Sequence, residues 1–225
     1  MAVERIVDDP AAAAASIASG SRLVRHSVVM VLDLVLAAPA PPVSDGFSIA
    51  PMSPQRATEY GAVVTCAYPP EHPDHEPADA DPESAAQSVL EVLRGEAMGP
   101  WIAEASLHVA DHTDRIVGVV LVTETTASGT CVAGPFVTDI CVDPAVAGQR
   151  LGSALLAASV GRLADLGWST LTLVVTVGNP AQHVYERLGF VVASESWRIE
   201  TADRPGRYRA RPAVPSPRPV EAPTL

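Results

Sequence analysis

VDPAVAGQRLGSALL (residues 142–156) reads as the end of a strand, a tight loop and the start of a helix. The first N–H groups of a helix have no partner within it, and the helix dipole favours an anion at that end. Gly148 and Gly152 let a phosphate oxygen approach this backbone with no Cβ in the way. Arg150 adds a charge-assisted contact at the same place. The residues therefore suit a phosphate-bearing ligand, although glycines also serve strand-to-helix turns for tight geometry alone. The loop is not of the Walker A type, because no Gly-Lys-Ser/Thr follows and the chain has no Lys; nor does it fit G-x-G-x-x-G.

The pattern extends on both sides of this loop. GPFVTDICVDP (134–144) is a strand ended by Pro144, and SALLAASVGRLADLG (153–167) is a helix with a Gly stop. STLTLVVTV (169–177) is almost uninterruptedly apolar, as in a strand buried on both faces. NPAQHVYERLGF (179–190) opens a helix with Pro and closes it at Gly189, and FVVASESWRIE (190–200) is a last strand. Upstream, FSIAPM (47–52) is a short strand, and SPQRATEYGAVVTCAY (53–68) a helix with Ser53 as N-cap and Pro54 at its first position. EHPDHEPADADPE (71–83) reads as a solvated acidic loop; His72 and His75 lack the helical H-E-x-x-H spacing of a metal site. SAAQSVLEVLRGEAM (84–98) returns to helical spacing, and SLHVAD (106–111) with RIVGVVLVTE (115–124) forms a hairpin. This order predicts an α+β domain rather than a doubly wound sheet.

Residues 1–42 read as an N-terminal extension and proline linker, 43–202 as the main domain, and 203–225 as a disordered Pro/Arg/Ala tail. Within the extension, 11–19 is rich in helix-forming Ala, while RLVRHSVVMVLDLVL (22–36) suits a strand or a continued helix. Net charge is −11 and all 15 basic residues are Arg, which argues against a nucleic-acid partner; the acidity serves solubility first and only mildly favours a cationic acceptor. Cys66, Cys131 and Cys141 have no C-x-x-C spacing and suit free thiols in a reducing compartment. The acidic N-terminus is unlike a secretory signal, and the apolar run 28–38 is broken by Asp33 and too short to span a bilayer. A cytoplasmic protein without a membrane partner is expected.

Two of these segments, correctly spaced, resemble the GNAT N-acetyltransferase superfamily. Val142, Pro144, Gly148, Gly152, Ala154 and Leu155-Leu156 match its coenzyme A pyrophosphate loop, while Ala147 replaces the usual Arg or Gln and Arg150 the central Gly. Ala181, Tyr185, Leu188, Gly189 and Phe190 match its N-x-x-A-x-x-L-Y-x-x-x-G-F signature, with Gly178 at the Asn position and Asn179 one residue closer to the Tyr. The resemblance covers roughly residues 47–200.

It implies a mixed, mostly antiparallel sheet flanked by helices, with a V-shaped splay between the fourth and fifth strands. It further implies acetyl-CoA as cosubstrate, held by Ile140, Cys141, Val142, Gly148, Gln149, Arg150, Leu151, Gly152, Ser153, Asn179 and Tyr185. Acetyl would pass directly to a small-molecule or peptide amine in a ternary complex, with no metal. Tyr185 is the implied general acid, since a phenol near the sulfur can protonate the departing thiolate. Asp139 is the candidate for gripping or deprotonating the amine, with a structural carboxylate as the equal alternative; Thr138 stands where many relatives carry Glu. Cys141 reads as a small packed thiol rather than a nucleophile. Homodimerisation is among the partnerships this reading admits, and a non-catalytic acyl-CoA-binding module on the same fold is the alternative function.

Overall fold

A computed structural model describes residues 3–37, 42–126 and 133–201. The proposed tail at 203–225, most of the proline linker and Cys131 lie outside the described residues.

The elements run β1 (Val3–Val7), α1 (Pro10–Ala18), β2 (Arg22–Asp33), β3 (Phe47–Pro51), α2 (Ala57–Ala67), α3 (Pro82–Leu93), β4 (Leu107–Asp111), β5 (Ile116–Thr125), β6 (Gly134–Val142), α4 (Leu151–Asp165), β7 (Thr170–Thr176), α5 (Ala181–Arg187) and β8 (Val191–Thr201). All eight strands form one sheet in the order β1-β8-β2-β7-β6-β5-β4-β3. Its neighbours are antiparallel except β6 and β7, which run parallel. This is the α+β, mostly antiparallel sheet flanked by helices that the sequence predicts.

Residues 22–33 are a strand, and its place is unexpected: β2 lies between β7 and β8 and bonds to both. Val28, Met30 and Leu32 from this strand are 7%, 0% and 3% exposed, so residues expected as an extension supply part of the core. β1, which the sequence reading did not pick out, pairs with β8 at the sheet edge.

One face of the sheet carries α4 over Leu107, Val120, Leu171 and Leu173, with Leu155, Leu156 and Leu163 of the helix fully buried. The other face carries α2 and α3 over Ile116, Val119, Leu121 and Cys141. Those two helices approach so closely that a Cβ on Gly61 would sit 2.4 Å from the Ala86 backbone nitrogen; only glycine fits. Asp81 caps α3, accepting from the Glu83 and Ser84 N–H groups at 3.1 and 3.0 Å, with Pro82 behind it. The expected Ser53 cap does not form: its hydroxyl bonds the Gln55 side chain, and a 3-10 turn at Pro54–Arg56 precedes α2.

The splay is visible in the register. β6 and β7 share a single registered pair, Phe136 with Thr172. On its other side β6 is bulged: Asp139 faces Leu121 and Val137 faces Val122, leaving Thr138 as the extra residue. The bulge bends β6, and the strands part toward Val142 and Thr176.

Candidate active site

A cleft of about 350 Å³ lies between the end of β6, the N-terminus of α4 and α5. Ile140, Cys141 and Val142 form one wall, Gly148, Arg150, Leu151, Gly152 and Ser153 the floor, and Ala181, Val184, Tyr185 and Arg187 of α5 the other wall. Nine of the predicted residues thus meet in one cavity, although they come from three separate parts of the chain.

The floor is a helix N-terminus without a protein cap. No side chain bonds the first turn of α4, and its first backbone bond runs from Ala154 N–H to the Arg150 carbonyl. The three amides before Ala154 are left directed at the cleft floor, a ready site for a phosphate. Gly148 has φ +84° and Arg150 φ +59°, both in the left-handed region. A Cβ on Gly152 would find its nearest protein atom 3.6 Å away on Val142, so packing alone does not demand glycine there. Gln149 does not line the cavity; its carbonyl accepts from the Ser44 hydroxyl at 3.1 Å.

Tyr185 is 8% exposed, and its hydroxyl bonds nothing among the described residues. Burial pushes its phenol well above the ordinary range, and the charges of Asp74 and Asp139 add to the shift. The group therefore stays protonated at neutral pH. Asn179 stands outside the cavity wall: its Oδ1 accepts from the Ala181 N–H at 2.9 Å, starting α5, and its amide donates to Asp74. His183 is exposed and pairs with Glu186 at 3.1 Å.

Asp139 lies beside the cleft at the bulge. Its Oδ1 is 2.8 Å from the Tyr68 hydroxyl, which is also 2.9 Å from the Ile140 carbonyl. Burial raises the Asp139 carboxyl to about 6; the Tyr68 hydrogen bond opposes that rise, and Asp79 and Asp74 reinforce it. Cys141 is 6% exposed and burial pushes its thiol well up, which keeps it from thiolate chemistry. Thr138 turns to the Thr123 hydroxyl at 2.9 Å.

Tyr68 and Asp74 were absent from the sequence prediction. Both belong to the segment 68–82, which is docked rather than solvated. Asp74 bonds the Thr176 hydroxyl and the Asn179 amide, and the His75 ring bonds the Tyr68 carbonyl at 2.8 Å. Glu76 pairs with Arg25 at 3.0 Å and Arg198 at 2.8 Å. The sequence signal was indirect: by composition the stretch suits a solvated loop, and only the resemblance sets the connection between α2 and α3 on the acceptor side. Among the described residues no three His, Cys, Asp or Glu side chains converge to hold a metal ion.

Known proteins share this architecture. Residues 103–192 match the acetyltransferase (GNAT) domain model. The chain is 28% identical over 197 residues to a mycothiol acetyltransferase of Thermobispora bispora, covering 85% of this chain and 62% of that protein. A GCN5-related N-acetyltransferase from Sphaerobacter thermophilus superposes with TM-score 0.67 at 20% identity, over 89% of this chain and 59% of the other. A tandem GNAT protein from the clavulanic acid biosynthesis pathway does so with TM-score 0.61 at 18% identity, over 89% and 63%. The chain thus spans about three fifths of the length of the relatives it matches. Residues 103–192 thus resemble the GNAT acetyltransferase domain, and the fold of the whole described chain is the one these solved structures share.

Proposed function

We propose that this protein transfers acetyl from acetyl-CoA to an amine by direct attack in a ternary complex. The observation that carries the reading is Tyr185: a buried, protonated phenol without a protein partner, on the wall of a cleft floored by free helix amides.

The pyrophosphate lies on the N-terminus of α4, with Arg150 and Arg187 at hand for its charge. The pantetheine arm runs between β6 and α5, placing the thioester near Tyr185. An ammonium substrate first loses a proton, which Asp139 accepts; a carboxyl raised to about 6 is a better base than an ordinary one and is still ionised at pH 7. The free amine forms a C–N bond to the thioester carbonyl, whose oxygen takes the charge, with the Val142 N–H as the proposed oxyanion donor. Collapse breaks the C–S bond as Tyr185 protonates the sulfur, and the nitrogen's second proton restores the phenol. Net, R–NH3⁺ and acetyl-CoA give the N-acetyl product, CoA–SH and one proton.

Thr138 supports the binding-only reading, since it faces Thr123 where many relatives place a Glu base. Titration calorimetry with acetyl-CoA, then a panel of amines with a thiol-release readout, separates the two. Tyr185→Phe is expected to bind acetyl-CoA within about threefold of wild type while kcat falls about a hundredfold, the usual scale of general acid catalysis. Unchanged turnover removes the general-acid role; absence of acetyl-CoA binding removes both readings.

A further inference from the structure

Along β6 the backbone alternates between its two sides. The Asp143 N–H bonds the Val117 carbonyl at 2.8 Å, and in an antiparallel pair every second residue repeats that bonding. Cys141 therefore faces β5 with its N–H and carbonyl, while Ile140 and Val142 turn theirs the other way, toward the side on which both residues border the cleft. A backbone group left there needs a partner. The Ile140 N–H finds one in the Asp139 carboxyl, and the Ile140 carbonyl finds one in the Tyr68 hydroxyl at 2.9 Å.

That hydroxyl has a second acceptor. It lies 2.8 Å from Asp139 Oδ1, and burial pushes the phenol well up, so it holds its one proton throughout the neutral range. A single proton does not serve two acceptors at full strength, and the charge on the carboxyl decides between them. When Asp139 is ionised, its oxygen is the stronger acceptor and draws the proton, leaving the Ile140 carbonyl without a donor. When Asp139 is protonated, its own O–H donates to the Tyr68 oxygen, and the phenol proton goes to the Ile140 carbonyl. The two arrangements differ in whether a carbonyl beside the cleft is occupied.

Other titratable groups crowd the pair. Asp74 and Asp79 act on the carboxyl from the segment between α2 and α3, and Cys141 on β6 and Tyr185 on α5 act on the phenol. Two imidazoles touch Tyr68 itself: the His72 ring, 5.0 Å away between centroids, and His75 Nδ1, 2.8 Å from the Tyr68 carbonyl. A pH response alone therefore does not identify the phenol as its source; removing the hydroxyl does.

We propose that Tyr68 is a positioning residue that couples the base to the cosubstrate: its proton moves between Asp139 and the Ile140 carbonyl, and ionisation of Asp139 frees that carbonyl to accept an amide N–H of acetyl-CoA. The proposal rests on the acetyl-CoA reading of the cleft. By reciprocity, bound acetyl-CoA favours the ionised carboxylate, so cosubstrate binding primes the base.

Calorimetry with acetyl-CoA on the full chain provides the test. Tyr68→Phe leaves the Ile140 carbonyl free at every pH, so at about pH 5 it should bind acetyl-CoA about fivefold more tightly than wild type, the scale of one hydrogen bond. The gap should close by about pH 7.5, and ionisation of the ligand's own phosphate, centred at about pH 6, is common to both proteins and cancels. A variant that binds more weakly than wild type at both pH values, or that keeps the wild-type ratio between them, overturns the proposal. If Tyr68→Phe does not fold, wild type carrying carbonyl-labelled isoleucine decides by NMR. Its Ile140 resonance should titrate together with the Asp139 carboxyl, and saturating acetyl-CoA should lower the shared midpoint. An Ile140 resonance indifferent to that ionisation overturns the proposal as well. Absence of acetyl-CoA binding at either pH overturns the underlying reading instead.

Discussion

Arg150 holds a φ of +59° at the cap of α4, where a Cβ crowds the following carbonyl by about 1–2 kcal/mol and glycine does not. The chain thus keeps the shape of the phosphate loop with a residue that strains it and adds a cation. Arg150→Gly should raise the melting temperature by a few degrees, net of the extra unfolded-state entropy of glycine. The same change should weaken acetyl-CoA about tenfold in calorimetry, and an unchanged affinity would show that the guanidinium does not reach the phosphates. Asp139 combines stability and activity with opposite signs. Its carboxyl is raised from 3.8 to about 6 in the fold, so between about pH 4 and 6 the native state holds more protons than the unfolded chain. Stability is therefore full below about pH 4 on this account and falls as pH rises through 6, by on the order of 3 kcal/mol. Turnover rises over the same upper range as the base ionises. Asp139→Asn should flatten the stability profile in denaturant titrations at pH 4 and 7 and remove the ionisation near 6 from the kcat/KM profile. A variant that keeps that ionisation would reassign the base.

At the scale of elements, the segment 68–82 is held by a clamp that crosses the sheet. Arg25 on β2 and Arg198 on β8 are registered neighbours, and both grip Glu76, with Arg25 also donating to the His75 carbonyl at 3.1 Å. Glu76 also forms a reciprocal cap with Asp79. Because the ion pairs are partly exposed, Glu76→Gln should cost only about 1 kcal/mol overall. Its effect should appear locally, as about tenfold faster amide exchange over residues 71–80 and a higher amine KM at unchanged acetyl-CoA affinity; uniform exchange across the chain would dissolve the idea of a clamp. The clamp also marks the limit of what the sequence revealed. Helices and strands around 142–190 were legible because their periodicity, Gly stops and cap residues act within a few positions. The grouping of Ile140 to Ser153 with Tyr185 came instead from the resemblance of two spaced motifs to a known family; local pattern alone marks only the anion site at the loop. Tyr68 and Asp74 were not legible, because they meet Asp139 and Asn179 across separations of 71 and 105 residues that no local pattern records. The position of Ser53 suits a cap, but its hydroxyl donates to the Gln55 side chain instead.

At the scale of the molecule, the decisive feature is a strand from the beginning of the chain lodged near its end. β7 and β8 are not neighbours; β2 lies between them and supplies the backbone partners of each. An apolar run broken by one Asp is compatible with strand or helix, and neither reading specifies between which strands it lies. The consequence is a dependence that the division at residue 42 does not suggest. A chain beginning at residue 43 loses the side chains of Val28, Met30, Leu32 and Leu34, each less than a tenth exposed. At about 1.5–3 kcal/mol per buried side chain this is about 6–12 kcal/mol, the same size as the whole stability of an ordinary domain. The truncation also strips β8 of its bonds to the sheet and leaves β7 with an open edge, a template for aggregation. That chain should be insoluble or lack a cooperative unfolding transition, and adding residues 1–37 as a separate peptide should restore a transition whose midpoint depends on peptide concentration. The recovered complex should bind acetyl-CoA, because no cleft-lining residue comes from the peptide. A truncated chain that melts cooperatively by itself would show that β7 and β8 can close the gap, and that the N-terminal strand is an addition to the fold rather than a member of it.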